Sequence, residues 1–375
     1  MSAPRPAHSQ LLRLGLGLLA CLLLGACRTA ARPALPSPSA PSTVLAASSG
    51  WLQIYFTDPQ GPIARIDTGG PDARLADAIH QARLSIDMAA YSLNLWSIRD
   101  ALINAHQRGV VVRLVMESDN ADSSEVQDLA AAGIPVVSDQ RQGLMHDNFV
   151  VLDRSEVWTG SMNFTVSGAY QDNNDLIRID SAQVAADYTT RFEDMFTSDR
   201  FGPDAVGDTP YPALTVDGDY LEVLFSPADG VARRLIDLIN STQQSIDFLA
   251  YTFTSNDIGN AMLRRAKSGV TVRGIMDASQ VKASQGTEYD PFLLAGLDVR
   301  LDGNTHGLMH HAVFIIDRRI VITGSYDFTL SAESANDENV IIFYDPGIAA
   351  AYLGEFEQLY NLAQPKSKSP FVQGN

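Results

Sequence analysis

Short apolar runs alternate along this chain with segments that are apolar at every third or fourth position. Residues 85–91 and 110–116 form runs of strand length, and their near-continuous apolar character is typical of strands buried on both faces. The segment between them has apolar residues at helical spacing and ends at Gly109, a residue suited to the end of a helix. Strands that alternate with helices in this way predict an α/β layered domain.

The same pattern recurs in the second half of the chain. Residues 85–117 match residues 245–277 at a constant offset of 160, and farther along His146 aligns with His310 at an offset of 164. The change in offset places a four-residue insertion between the two matching blocks. Because a unit of this size is a domain and not a solenoid repeat, the pattern predicts that a whole domain is duplicated.

Proline-rich and polar stretches mark the predicted boundaries. We place the first repeat at residues 51–200 and the second at residues 219–363. Residues 201–218 contain three prolines and are predicted to be the linker, and residues 364–375 are predicted to be a polar tail.

The N-terminus has the features of an export signal. Two arginines precede an apolar run over residues 14–24, which is shorter than the roughly 20 residues that a membrane-spanning helix needs. The run ends in Leu-Gly-Ala-Cys27, which resembles a bacterial lipobox, so residues 1–26 are predicted to be a signal peptide and Cys27 to be lipidated. An ordinary signal peptide with an incidental cysteine is the alternative. Residues 27–50 are rich in Ala, Pro and Ser and predict a flexible tether.

These features predict an exported protein that is lipid-anchored to the cell envelope. In a bacterium with two membranes, the absence of Asp after Cys27 favours the outer membrane.

Composition limits the function classes that need to be considered. The chain has 375 residues, of which 45% are hydrophobic, as expected for a globular protein. A net charge of −17 argues against non-specific binding of nucleic acid. The only cysteines are Cys21 and Cys27, which excludes a disulfide scaffold and a cysteine-based zinc site.

The candidate chemistry lies in a motif that both repeats carry. The first repeat has His146-Asp147-Asn148, then Asp153 after four residues, and then Gly-Ser161-Met-Asn163. The second repeat has His310-His311-Ala312, then Asp317 at the same spacing, and then Gly-Ser325-Tyr-Asp327. These blocks resemble the phospholipase D superfamily, whose signature is His-x-Lys, four residues, Asp, and then Gly-Ser-x-Asn. The resemblance covers nearly all of the chain after the predicted tether.

The resemblance implies an α/β fold of two tandem phospholipase D-like α/β/α sandwich domains. They would be related by a pseudo-two-fold axis, with the active site at their interface and with no metal or cofactor. One imidazole would form a phosphohistidine, and the other would protonate the leaving oxygen and then activate water or an alcohol. The usual assignment makes His146 the nucleophile and His310 the acid and base, although symmetry permits the reverse. Asp153 and Asp317 would orient the imidazole of their own or the partner repeat.

The resemblance also implies which side chains hold the phosphate oxygens of the substrate and which support the histidines. Glu338 is expected to support the second histidine. The expected phosphate-binding residues are Asn148, Ser161, Asn163, Ser325 and Asp327.

The chain departs from the signature at three positions. Asn148 and Ala312 stand where the family has lysine, and Asp327 stands where it has asparagine. Asn148 can still donate a neutral hydrogen bond, whereas Ala312 can donate none. Asp327 would repel an anion when it is ionised, unless a raised pKa makes it a donor. Because one oxyanion donor is typically worth about 10²–10³ in rate, loss of both lysines predicts impairment of about 10⁴.

Three functions therefore remain open. The first is a phospholipase D-type phosphodiesterase that hydrolyses or transfers phosphodiester bonds of phospholipids, the substrates nearest to a lipid anchor at Cys27. The second is a catalytically impaired protein that binds a phosphodiester. The third is a nuclease of the same superfamily, which the net charge of −17 disfavours. A monomer suffices for each, because one chain carries both half-sites.

Overall fold

The computed structural model describes residues 45–363. The predicted signal peptide, Cys27, the tether up to residue 44 and the tail from residue 364 lie outside the described residues. No helix within the described part is long and apolar enough to cross a membrane.

The first repeat contains eight strands and five helices. Its strands are β1 (Leu45–Ser48), β2 (Leu52–Phe56), β3 (Ser85–Ala90), β4 (Val111–Met116), β5 (Val136–Ser138), β6 (Phe149–Leu152), β7 (Glu156–Thr159) and β8 (Asp175–Asp180). Its helices are α1 (Pro71–Gln81), α2 (Trp96–Gln107), α3 (Ser124–Ala131), α4 (Val166–Tyr170) and α5 (Ala182–Phe196).

The second repeat contains eight strands and six helices. Its strands are β9 (Ala213–Val216), β10 (Asp219–Ser226), β11 (Ser245–Ala250), β12 (Thr271–Met276), β13 (Asp298–Leu301), β14 (Ala312–Ile316), β15 (Ile320–Gly324) and β16 (Glu338–Phe343). Its helices are α6 (Val231–Ser241), α7 (Asn256–Lys267), α8 (Ala278–Ala283), α9 (Tyr289–Leu294), α10 (Leu330–Ser334) and α11 (Pro346–Leu362).

Each repeat forms one mixed sheet, and the two sheets have the same topology. The first runs β1-β2-β8-β7-β6-β3-β4-β5, and the second runs β13-β12-β11-β14-β15-β16-β10-β9. The strand pairs β3–β4, β4–β5, β11–β12 and β12–β13 are parallel, and the other neighbours are antiparallel. The structure confirms the predicted duplication of an α/β domain. The apolar runs at residues 85–91 and 110–116 correspond to β3 and β4.

Three apolar clusters form the core. One lies within the first repeat, where α1 and α2 cover the sheet, and another is its counterpart in the second repeat. The third contains apolar residues of both sheets together with those of α5 and α11, such as Tyr188 and Tyr352. This shared cluster joins the inner faces of the two sheets, because α5 packs against β6 and β7 and also contacts β10. The interface between the repeats is therefore a hydrophobic core.

Two predicted boundaries are wrong. Residues 45–48, assigned to the tether, form β1, which pairs with β2 at the edge of the first sheet. Residues 213–216, assigned to the linker, form β9, which pairs with β10 at the edge of the second sheet. Pro210 and Pro212 lie just before β9. Proline is compatible with the start of an edge strand, so proline content alone gave the wrong prediction there.

Candidate active site

The two motif histidines lie at the interface between the repeats. His146 precedes β6 and His310 precedes β14, and only 8% and 9% of the two residues' surfaces are exposed. The main-chain N–H of His146 donates to Asp337 O at 3.0 Å, and that of His310 donates to Asn173 O at 2.9 Å. Since these contacts are equivalent in the two repeats, they define a pseudo-two-fold relation at the site.

Buried acids at the ends of the parallel strands hold the chain just before each histidine. Glu117 follows β4, and its Oε2 accepts the main-chain N–H of Met145 at 2.6 Å. Asp277 follows β12, and its Oδ2 accepts the N–H of Met309 at 3.0 Å. These two hydrogen bonds therefore fix the position of the chain just before each histidine.

Each imidazole has its partner in the opposite repeat. His146 Nδ1 lies 2.8 Å from Glu338 Oε2. His310 Nδ1 lies 2.9 Å from Asn174 Oδ1 and 3.2 Å from Ser161 O. The expectation that Glu338 supports the second histidine is wrong, because the packing of the repeats places the start of β16 beside His146.

The two histidines differ in charge as a result. Burial favours the neutral form of both, but the charge and hydrogen bond of Glu338, with Asp327 and Asp147, raise the pKa of His146 to about 9. Burial and the positive charge of His146 lower the pKa of His310 to about 3. At neutral pH the site therefore holds one imidazolium and one neutral imidazole.

Asp153 and Asp317 do not orient the imidazoles, and that expectation is wrong. Asp153 accepts hydrogen bonds from the main-chain N–H groups of residues 83–85 at 2.7–3.1 Å. Asp317 accepts the equivalent bonds from residues 243–245 at 2.7–3.0 Å. Both lie at the far end of a central strand from the histidine, in a turn where φ is positive. Their role is to join that turn to the start of β3 or β11.

We predict that Asp153→Asn lowers stability without changing the protonation of the histidines. Burial alone would raise the pKa of Asp153, but the three N–H groups lower it below its ordinary value of 3.8. Hydrogen bonds to charged groups are worth about 1.5–3 kcal/mol, so we expect a loss of roughly 2 kcal/mol, measured by urea unfolding at pH 7.

The pH dependence of that loss has a defined sign. The stabilisation is present above the unfolded pKa and disappears as pH falls through the folded pKa, so the difference from wild type should vanish in acid. Asp67→Asn is the matched control, because Asp67 is exposed and also has a positive φ. Equal losses in both variants would contradict the structural role of Asp153.

The serines of the motif form hydrogen bonds with the groups that contact the histidines, and their expected contact with phosphate stays a prediction. Ser325 Oγ donates to Glu338 Oε2 at 2.8 Å. Ser161 Oγ lies 2.9 Å from Asn174 Oδ1 and 2.8 Å from Asp175 Oδ1. Because each hydroxyl has one proton and already has a protein acceptor, these serines position the groups that contact the imidazoles.

The glycine before each serine is required by close backbone packing. A Cβ at Gly160 would lie 2.4 Å from Asp175 O, and one at Gly324 would lie 2.1 Å from Asn339 O. Both glycines also have a positive φ, of 149° and 145°. A larger residue would displace the strand that carries the partner of each histidine.

Neither residue at the lysine positions carries a positive charge. Asn148 Oδ1 accepts the N–H of Tyr91 at 3.2 Å, and its Nδ2 donates to Asn163 Oδ1 at 2.9 Å and to His146 O at 3.4 Å. Asn148 thus orients Asn163, and the expectation that Asn148 binds phosphate stays a prediction. Ala312 is buried at the start of β14, two residues after His310 and on the same strand face.

The Asp327 carboxyl is buried and interacts electrostatically with His146 and Glu338. Burial raises the pKa of this carboxyl to about 7, with a further rise from Glu338 and an opposing effect of His146. Tyrosine rings border both histidines: the Tyr91 and His146 ring centroids are 4.8 Å apart, and those of Tyr251 and His310 are 4.6 Å apart. Because Asp327 titrates near neutrality, it is a donor in weak acid and an anion in weak base.

Several residues of the site were missed from the sequence. In the first repeat, Asn174 occupies the position that Glu338 has in the second repeat. Its amide was not recognised from the sequence as the partner of His310. The residue after each histidine faces a side chain of α5 or α11: Asp147 lies near Arg191, and His311 lies near Glu355. The two pairs are at equivalent positions in the repeats, but the acidic and the basic residue are exchanged. Among residues 45–363 no group of three or more His, Cys, Asp or Glu side chains is arranged to hold a metal ion.

Comparison with known proteins identifies the family to which both repeats are similar. The sequence profile described as cardiolipin synthase, PLD-like domain matches residues 75–196 and again residues 235–360. A mitochondrial cardiolipin hydrolase from Chlamydomonas reinhardtii is 36% identical over 129 residues, which are 34% of this chain and 57% of that protein. A phospholipase D from Rickettsia prowazekii (strain Madrid E) is 36% identical over 129 residues, 34% of this chain and 62% of that protein. The chain thus spans less than two thirds of the length of both relatives.

A solved structure extends the similarity to the whole fold. The phosphatidylserine synthase of Haemophilus influenzae Rd KW20 superposes with a TM-score of 0.67 and covers 88% of this chain and 90% of that one. Its sequence identity is 14%, so the likeness concerns the arrangement of the two repeats.

Proposed function

This chain belongs to the family of PLD-like cardiolipin synthase domains, and from that premise we propose that it cleaves phospholipid phosphodiesters through a phosphohistidine. Membership supports a hydrolase of the phospholipase D type in general terms. The observation that carries the specific proposal is the pair of buried histidines at the repeat interface, each held by a side chain of the other repeat. Such a pair offers a nucleophile and a proton donor for one bond.

Phospholipid is the proposed substrate for two reasons. The relatives named cardiolipin hydrolase and phospholipase D have names that refer to phospholipids. The proposed lipidation of Cys27 would also hold the enzyme at the envelope membrane, where phospholipid is the most concentrated phosphodiester. The excess of acidic residues disfavours a polyanion such as DNA.

The state of the phosphate-binding residues favours a second candidate, a protein that binds a phosphodiester without cleaving it. Ala312 has no donor, and the donor of Asn148 is bound to Asn163. The positive charge that would meet the phosphate is then that of the His146 imidazolium. We place hydrolysis first because this imidazolium and a neutral imidazole are both present.

The test is turnover of three phosphodiesters by the purified protein. Vesicles of cardiolipin and phosphatidylglycerol are assayed for phosphatidic acid, alongside bis(p-nitrophenyl) phosphate and single-stranded DNA. The double variant His146→Ala/His310→Ala is the inactive reference, and His80→Ala at an exposed histidine is the matched control. Lipid cleavage that only the double variant loses supports the proposal. Cleavage of DNA alone points to a nuclease, and vesicle binding without turnover points to the second candidate.

We predict that Asp327→Asn shifts the pH range of activity upward. Asp327, whose pKa is about 7, becomes an anion above that pH and repels the phosphodiester. His146 stays charged up to about pH 9, and His310 stays neutral down to about pH 3. The wild type should therefore lose kcat/KM above about pH 7, whereas Asp327→Asn should keep it to a higher pH, until His146 loses its proton without the help of the Asp327 charge. Asp217→Asn, in an exposed turn, is the control, and an unchanged profile for Asp327→Asn would refute the prediction.

A further inference from the structure

The two halves of the site are not chemically equivalent, although the sequence motif repeats. His146 faces a carboxylate, Glu338, and His310 faces an amide, Asn174. From this difference we infer that His310 is the nucleophile and His146 the general acid, the reverse of the assignment that the family resemblance implies. The inference rests on the proposed phosphodiesterase function and assigns the role of each histidine within it.

The hydrogen bonds around Asn174 determine the tautomer of His310. Asn174 Nδ2 donates to Gly168 O at 2.9 Å, so the amide oxygen is the atom that faces the imidazole. Both neighbours of His310 Nδ1, Asn174 Oδ1 and Ser161 O, can only accept. The Nδ1 atom must therefore carry the proton, and Nε2 of a neutral ring must carry the lone pair that a nucleophile needs.

The surroundings of His146 favour the opposite protonation state. Glu338 Oε2 accepts from Nδ1, and Ser325 and Asn336 donate to the two oxygens of the same carboxylate. Asp327 and Asp147 add negative charge and help to keep the pKa of His146 near 9. The ring is therefore an imidazolium whose Nε2–H is available to a leaving oxygen.

His310 has no comparable anionic partner. The positive charges of His146 and His311 act on it, and burial and His146 outweigh the more distant negative charge of Asp175. Neither acceptor at its Nδ1 carries a charge that would stabilise an imidazolium. The ring is therefore neutral, and available as a nucleophile, at neutral pH.

The reaction balances with these starting states. The lone pair of His310 Nε2 forms a bond to phosphorus, the bond from phosphorus to the leaving oxygen breaks, and that oxygen takes the proton of His146 Nε2. The positive charge thereby passes from His146, which becomes neutral, to the phosphorylated His310 ring, whose Nδ1–H still donates to Asn174 Oδ1. In the second step His146 Nε2 removes a proton from water while the water oxygen bonds to phosphorus. The N–P bond then breaks, its electron pair returns to His310 Nε2, and both rings regain their initial states.

The first experiment locates the phosphoryl group. His146→Ala is mixed with bis(p-nitrophenyl) phosphate, whose leaving group departs without protonation, and the protein is quenched in alkali, digested and analysed by mass spectrometry. We expect a burst of about one p-nitrophenolate per protein, a phosphoryl adduct on the peptide with His310, and no burst from His310→Ala. An adduct on His146 in the His310→Ala variant would overturn the inference.

The second experiment needs no substrate and separates this inference from the proposed function. In ¹⁵N-histidine spectra of the whole protein, assigned by single substitutions, we expect His146 as an imidazolium and His310 as the neutral Nδ1–H tautomer at pH 7. Spectra that show a charged His310 or a neutral His146 would overturn the inference even if the protein turns over a phosphodiester. If no diester is cleaved, the proposed function fails and these spectra alone decide whether the charge asymmetry exists.

A third experiment exchanges the two partners. Glu338→Gln and Asn174→Asp are isosteric, and together they move the carboxylate from His146 to His310. The inference requires that the imidazolium signal move to His310 and the phosphoryl adduct to His146 in the wild-type-histidine background. Spectra that leave His146 charged in a folded double variant would contradict the positioning role of Glu338.

Discussion

Replacement of His310 by Ala is expected to lower turnover of every phosphodiester by roughly 10⁴-fold or more, because the bond to phosphorus then has no nucleophile. Replacement of His146 by Ala should have an effect that depends on the substrate. The first step with bis(p-nitrophenyl) phosphate should remain fast, since its leaving group needs no proton. The first step with a phospholipid should fall by about 10²–10⁴-fold, because an alkoxide must be protonated as it leaves.

The measurement is pre-steady-state kinetics of both variants on both substrates. His80→Ala again serves as the control for loss of an exposed histidine. Equal losses for the two variants on both substrates would be inconsistent with distinct roles for the histidines. Turnover of phospholipid at the wild-type rate in both variants would show that the chemistry occurs elsewhere in the protein.

The second large effect is expected from restoring the residues of the family signature. The triple variant Asn148→Lys/Ala312→Lys/Asp327→Asn should raise kcat/KM on phospholipid vesicles by about 10²–10⁴-fold, because it adds two cations and removes an anion. Position 312 follows His310 by two residues on one strand, so a lysine there lies on the same strand face as the imidazole. The gain should shrink at high salt if it is electrostatic.

Size must be separated from charge in that experiment. Asn148→Met/Ala312→Met in the Asp327→Asn background adds side chains of similar reach without charge, and it should not raise the rate. Thermal unfolding of both variants checks that buried positions tolerate the longer chains. A flat response of the folded lysine variant would mean that the imidazolium of His146 already supplies the charge that this substrate needs.

The missing lysines change how the net charge of −17 bears on function. In the structure, the cation that Glu338 holds in the site is His146, which would have to serve both as the proton donor and as the main positive charge beside the phosphate. Because one imidazolium would perform both tasks, we expect a slow enzyme whose rate is sensitive to the ionisation of Asp327. Both expectations follow from particular side chains and can be measured independently.

Local features of the sequence were enough to predict which residues form the candidate site. The offset of 164 between His146 and His310 predicted that they are equivalent, and their main-chain contacts confirm it. The apolar runs predicted β3 and β4 and their counterparts β11 and β12. These inferences succeeded because strand periodicity and the order of elements are properties of neighbouring residues.

The partners of the histidines could be decided only by the tertiary structure. Glu338 is 192 residues from His146, and Asn174 is 136 residues from His310. Which acid meets which imidazole depends on how the two sheets pack about the pseudo-two-fold axis, and no local pattern encodes that packing. For the same reason the sequence could not show that Asp153 binds the main-chain N–H groups of residues 83–85 and not an imidazole. The sequence by itself determined that the site is duplicated, and the cross-repeat packing made its two halves chemically different.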